Sequence, residues 1–367
     1  MWGTGSTFSG YKPKVLKDDE ATDGLAQCRE MDKSAYPFLG RPYLGPFFPG
    51  KYRANFHLKY ARAEPAARFK LNANVNVGLE KSKTWKAFNT VINEDELRSG
   101  GSYKDYPLEF EIAGASSEYV TARLMPDVQE AGTDVICLDH ILIEQLEQYP
   151  DTKIAELNKV EKPPGLRVPK GNEPQRVLLI KGLYWKQYKV DKFVPCRATY
   201  ELPKKYEDIY ANDVVVLCNV DFKSSGFESR KMLKDFVEDG GRLVILGGIC
   251  TLGCGGMKDT FLEDMLPFAP KGPSEIVSSE LPLLLGSRKN VPYSDRPAVF
   301  WRHNMLLRQG AEVLGFAGPN PIAARRTVDK GSVVVFAGTV LGEKTDRTKP
   351  FWECNSWAGM LKKMIQQ

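Results

Sequence analysis

The chain has 367 residues, a formal net charge of +5 at pH 7, 42% hydrophobic and 26% charged residues. That is the profile of a globular protein too long for a single core, so two domains are expected. Its basic residues form no dense block, which argues against nucleic acid or a membrane surface as partner. No run approaches the ~20 apolar residues that span a bilayer, and MWGTGSTFSG lacks the regions of a secretory signal, so a soluble chain of unassigned compartment is expected.

The first 148 residues read as all-β. Phe69, Leu71, Ala73, Val75, Val77 and Leu79 are apolar at every second position, with Asn72, Asn74 and Asn76 between them. A period of two sends one set of side chains into a core and the other to solvent. The alternation recurs at Tyr52–Tyr60, Leu108–Ile112 and Val120–Leu124, and a long last strand follows between Asp134 and Leu146. Short strands separated by Gly, Pro and Ser clusters predict a jelly-roll sandwich. Residues 149–175 hold Pro163, Pro164, Gly165, Pro169 and Pro174 among many charges and read as a linker.

Over 176–367 the pattern changes. Val177–Ile180, Val214–Leu217, Leu243–Leu246 and Val333–Phe336 are continuous apolar runs, as expected of strands covered on both faces. An amphipathic helix between Ser224 and Gly240, a short one from Thr260 to Leu266 and a closing one from Ser356 to Ile365 separate or follow them. Strands alternating with helices predict an α/β, flavodoxin-like, doubly wound parallel sheet. GGRLVILGGICTLGCGG, residues 240–256, runs from one of these strands into a glycine-rich turn carrying Cys250 and Cys254. A cysteine on such a turn has the geometry of a nucleophile elbow.

Seven scattered cysteines suggest no disulfide framework, and Cys137 and Cys218, inside apolar runs, read as small buried hydrophobes. Cys250 and Cys254 lack the second ligand pair a zinc site needs. Nucleotide-binding glycine motifs are absent from the sequence.

On Tyr210–Leu217, Phe236–Gly248 and Lys330–Phe336 the second half resembles the class I glutamine amidotransferase-like domain. It is most similar to the divergent branch found beside carbohydrate-active modules and in the middle domain of some β-galactosidases. Active members of that family carry G-x-C-x-G and a later H-x-E. Here the elbow reads Gly248-Ile249-Cys250-Thr251-Leu252, and His303 lacks a glutamate two positions on. The resemblance therefore implies a degenerate site with Cys250 as thiol and His303 as its one candidate base. On Ala21–Ala26, Pro49–Arg53 and Val135–Ile141 the first half resembles β-sandwich carbohydrate-binding modules. That resemblance implies sugar held by ring faces and amides, for which Trp85, Tyr103, Tyr106 and Asn74 are the candidates. It also implies a structural calcium, with Glu20, Asp23 and Asp139 as the oxygens this chain offers.

The expected function is a non-catalytic or accessory protein of carbohydrate metabolism, binding glycan or a partner through the sandwich and the cleft between domains. One alternative is a cysteine-dependent hydrolase or amidase using Cys250 and His303. Another is a structural module in which the second domain forms a homo-oligomer or docks a protein partner.

Overall fold

A computed structural model describes residues 15–366 except 32–37, 40–42, 62–63, 65, 80–83, 98–100, 114–116, 159–160, 169–174, 223–224, 272–274 and 286–295. The chain forms two compact units, Met1–Tyr149 and Pro150–Gln367. Each has its own hydrophobic core.

The first unit is built from two antiparallel five-stranded sheets. One runs in the order Val15–Lys17, Leu25–Glu30, Val135–Gln148, Gly50–Ala61, Lys104–Ile112. The other sets Ser117–Glu130 against Arg68–Leu79, which in turn pairs with Thr84–Asn93. Tyr52, Ala54, Phe56, Leu58 and Tyr60 point inward from the Gly50–Ala61 strand, and Arg53, Asn55, His57 and Lys59 alternate with them on the outer face. The inward set meets Leu71, Val75 and Leu124 of the second sheet in one core.

Two departures from strict alternation shape the outer face. Leu138 pairs with Leu58 and Ile141 with Phe56, so Asp139 and His140 together oppose the single residue His57. This is a β-bulge, which turns two successive side chains toward one neighbour. Further along, Cys137 lies opposite Cys28, and the two are joined by a disulfide. The expectation that Cys137 is merely a buried hydrophobe is thereby corrected. The pairing is set by strand register across 109 positions, so no local cysteine spacing announces it.

The second unit overturns the expected flavodoxin-like doubly wound sheet. Its main sheet has ten strands and is mixed. Arg197–Thr199, Val177–Lys181, Val214–Cys218, Arg242–Leu246 and Gly331–Phe336 run parallel in that order. Beyond them the sheet continues antiparallel through Asn320–Val328, Glu312–Ala317, Ile276–Leu285 and Pro297–His303. The antiparallel half comes from residues 276–328, where no helix intervenes between the strands among the described residues and polar residues such as Ser278, Ser279 and Glu280 interrupt the apolar runs. Helix Phe227–Glu238 buries Met232, Leu233, Phe236 and Val237, and helix Ser356–Gln366 buries Trp357, Met360, Leu361 and Met364. The stretch expected as a linker begins with a helix, Asp151–Asn158, that belongs to this unit.

Candidate functional site

In a sheet with parallel strands, ligands and reactive groups gather at the carboxyl ends. Here Leu246 leads into Gly247 and Gly248, and the chain turns through Gly256. Asn219, at the end of the neighbouring strand, is buried and adopts the left-handed backbone conformation with φ of 50°. Its amide Nδ2 donates to the Leu183 carbonyl at 2.7 Å, and its Oδ1 accepts the Cys250 N–H at 2.9 Å. A Cβ on Gly248 would lie 2.1 Å from Asn219 Cγ, so the close approach of turn and amide requires glycine there.

A second support comes from below. His303 Nδ1 lies 2.9 Å from Glu275 Oε1, and both side chains are fully buried. His303 Nε2 lies 3.0 Å from the Gly248 carbonyl, while Glu275 Oε1 accepts the Gly253 N–H at 2.8 Å. The pair thus clasps the turn at both ends. The sequence offered His303 no carboxylate partner; the structure supplies Glu275, which lies 28 positions upstream, where a search for H-x-E does not look.

Cys250 is half-buried at this turn. No hydrogen bond joins its sulfur to His303 among the described residues, and the imidazole is directed to backbone instead. Burial, with Asp221 and Cys254 nearby, pushes the Cys250 thiol above its ordinary range. A nucleophilic cysteine needs the opposite environment, one that favours thiolate.

The other polar concentration is on the outer face of the first unit, around the bulge. Asp139 Oδ2 accepts the Thr22 N–H at 3.0 Å and the Thr22 hydroxyl at 2.7 Å, and lies 3.0 Å from His140 Nδ1. Its Oδ1 is buried and has no hydrogen-bond partner among the described residues. His57 stacks on His140 at 4.8 Å and on Tyr103 at 5.1 Å, forming a continuous run of three rings. Asp105 lies 2.7 Å from His57 Nδ1. Lys59 pairs with Asp18 and Glu20, and the Tyr103 hydroxyl donates to Asp18 at 3.0 Å. Burial and then the Asp18 bond push the Tyr103 phenol up. For Asp18 itself, burial works upward, but the Glu20 N–H, Tyr103 and Lys59 outweigh it and hold the carboxyl low.

Of the residues expected to grip sugar, only Tyr103 belongs to this face. Tyr106, opposite Phe56, packs against the core and donates to the Glu96 carbonyl at 3.1 Å. Asn74 lies on the other sheet and donates to the Asn72 carbonyl at 2.8 Å. Trp85 pairs with Gly78 along the backbone, and its side chain lies outside the described residues. The carboxylates expected around calcium do not converge: Glu20 is held by Lys59, Asp23 accepts the Leu25 N–H, and Asp139 is engaged with Thr22. Among the described residues, the group of three candidate ligand atoms within 4.8 Å of one another is Asp18, Cys28 and Cys137, two of which are spent on the disulfide. His57 and His140 escaped the sequence reading because a period-two pattern places Asp139 and His140 on opposite faces; only the bulge brings them together.

No protein-family model matches the chain, and no curated protein matches it. Among solved structures, it is similar to a cytoplasmic protein from Salmonella typhimurium LT2, with 16% identity, a TM-score of 0.43, and coverage of 52% of this chain and 100% of that one. A β-galactosidase from Rahnella sp. R3 shows 13% identity and a TM-score of 0.34 over 52% of this chain and 30% of that one. A family 61 carbohydrate-binding module in complex with β-1,4-galactotriose shows 14% identity and a TM-score of 0.24 over 36% of this chain and 81% of that one. Likenesses this distant carry no argument about mechanism, and the amidotransferase resemblance gains no support from them. Among the described residues, no helix is long and apolar enough to cross a membrane.

Proposed function

We propose that the chain is a non-catalytic, glycan-binding accessory protein, and that the bulge face of its first unit is the sugar-binding surface. The observation that carries this reading is the stack of rings Tyr103–His57–His140 set beside Asp105, Thr22 and His140's neighbour Asp139 on one face. Sugars present an apolar face that stacks on rings and hydroxyls that need fixed acceptors and donors. Asp139, Asp105, Thr22 and the two imidazoles supply both kinds within a small area. Isothermal titration against neutral oligosaccharides is expected to give binding that Tyr103→Ala and His57→Ala each weaken about tenfold. Absence of binding across the panel, or binding indifferent to both substitutions, refutes the assignment.

The Glu275–His303 pair favours one rival reading, a cysteine hydrolase in which His303 leaves the Gly248 carbonyl to serve Cys250. That reading requires iodoacetamide to label Cys250 at neutral pH much faster than the similarly exposed Cys254. The raised thiol predicts slow labelling that accelerates only under alkaline conditions.

A further inference from the structure

The strands Val177–Lys181 and Arg197–Thr199 lie side by side, and their carboxyl ends present a group of side chains that neither site above uses. Lys181 Nζ stands 4.0 Å from the centre of the Trp185 indole and 5.4 Å from the Tyr200 ring. The two rings meet almost at right angles, 83° and 6.4 Å apart. Tyr200 is 69% exposed and Tyr184 is 45% exposed, which is unusual for side chains whose burial is so favourable. Lys181 makes no ion pair among the described residues; its charge faces the two rings and lies near the Cys196 thiol.

The backbone beneath these side chains is firmly held. The Gly182 N–H donates to the Cys218 carbonyl at 2.9 Å, the Leu183 N–H to the Asn219 carbonyl at 3.1 Å, and Asn219 Nδ2 returns to the Leu183 carbonyl. At the far end, the buried Tyr188 hydroxyl bonds the Gly247 carbonyl, and Trp357 Nε1 donates to the Tyr188 carbonyl at 2.8 Å. Between these anchors Tyr184 has φ of 55°, a left-handed conformation that is unfavourable for a residue with a Cβ. These hydrogen bonds fix the direction of the exposed rings at the strand end, which lowers the ordering cost of binding there.

We propose that the corner formed by Lys181, Trp185 and Tyr200 binds a carboxylated pyranose, its apolar face on a ring and its carboxylate on the Lys181 ammonium. One ammonium without an ion pair among the described residues matches one carboxylate, whereas a phosphate group calls for convergent N–H donors or several cations. The site lies in the second unit and stands whether or not the bulge face of the first unit binds neutral sugar.

The test uses the full chain, tryptophan fluorescence, digalacturonate as ligand and lactose as the uncharged control. Saturable quenching by digalacturonate is expected, weakening with added salt, and Lys181→Met and Tyr200→Ala are each expected to reduce affinity about tenfold or more. Tyr200 is exposed enough that its removal leaves the fold intact, and thermal unfolding verifies the same for Lys181→Met. Tyr103→Ala, which disables the first unit's face, is expected to leave this binding unchanged. No saturation up to ~10 mM, equal affinity for lactose in the Tyr103→Ala chain, tighter binding of adenosine monophosphate, or indifference to Tyr200→Ala overturns the proposal.

Discussion

Asp151 and Arg230 illustrate what a single buried charge does in this chain. Arg230 Nε donates to Asp151 Oδ2 at 2.9 Å and Nη2 to Oδ1 at 2.7 Å, and the same carboxylate accepts the Phe261 N–H at 2.9 Å. Both side chains are nearly inaccessible, at 9% and 2% exposure. Asp151→Ala would leave the guanidinium buried without its counter-charge, so a loss of about 3–5 kcal/mol in unfolding free energy is expected by urea titration. Replacing Arg230 by Met in the same chain is expected to recover part of that loss, because the stranded charge is removed. At this scale the sequence revealed residue types but not partners. Cys250, His303 and Tyr103 stood out by chemistry, whereas Glu275 and Asn219 carry no local signal and matter only through contacts made by distant strands.

At the scale of elements, the Gly50–Ala61 strand links buried and exposed chemistry. Its Tyr52 stacks on Phe110 at 5.4 Å, donates to the Phe48 carbonyl at 2.6 Å, and has its phenol pushed up to about 12, burial outweighing that bond. An unfolded tyrosine ionises near pH 10. The folded form keeps its proton longer, so the contribution of Tyr52 is complete below about pH 10 and is lost as pH rises through about 12. Circular dichroism is expected to show stability falling across that window, and Tyr52→Phe is expected to flatten the decline. Tyr149, also pushed up to about 12 by burial and then Glu111, accounts for a remaining share. Strands of this kind were readable because period-two alternation follows directly from burying one face. The bulge at Asp139 and His140 was not, since the change of inward set from Ile136 and Leu138 to Ile141 and Ile143 is blurred by the apolar Val135, Cys137 and Leu142 interleaved with them.

For the molecule as a whole, the presence of antiparallel strands in the first unit and of parallel strands in the second followed from the change from alternating to continuous apolar runs. The antiparallel extension of the second sheet did not, because Ile276–Leu285 and Glu312–Ala317 mix polar and apolar residues as exposed loops also do. The disulfide gives the first unit a stabilising element that the second lacks: Cys196, Cys218, Cys250, Cys254 and Cys354 are all free thiols. Closing a loop of about 100 residues removes enough unfolded-chain freedom to contribute about 4–5 kcal/mol. Hydrogen exchange after treatment with a thiol reductant is expected to accelerate along Gly50–Ala61 and Val135–Gln148 and to remain unchanged along Val214–Cys218.

The side-chain amide of Asn219 is shared between two loops, its NH2 spent on Leu183 and its oxygen on Cys250. Neither loop can be displaced alone without forfeiting a hydrogen bond that also orients the other. Asn219→Ala is therefore expected to loosen both loops at once, read as faster hydrogen exchange in each.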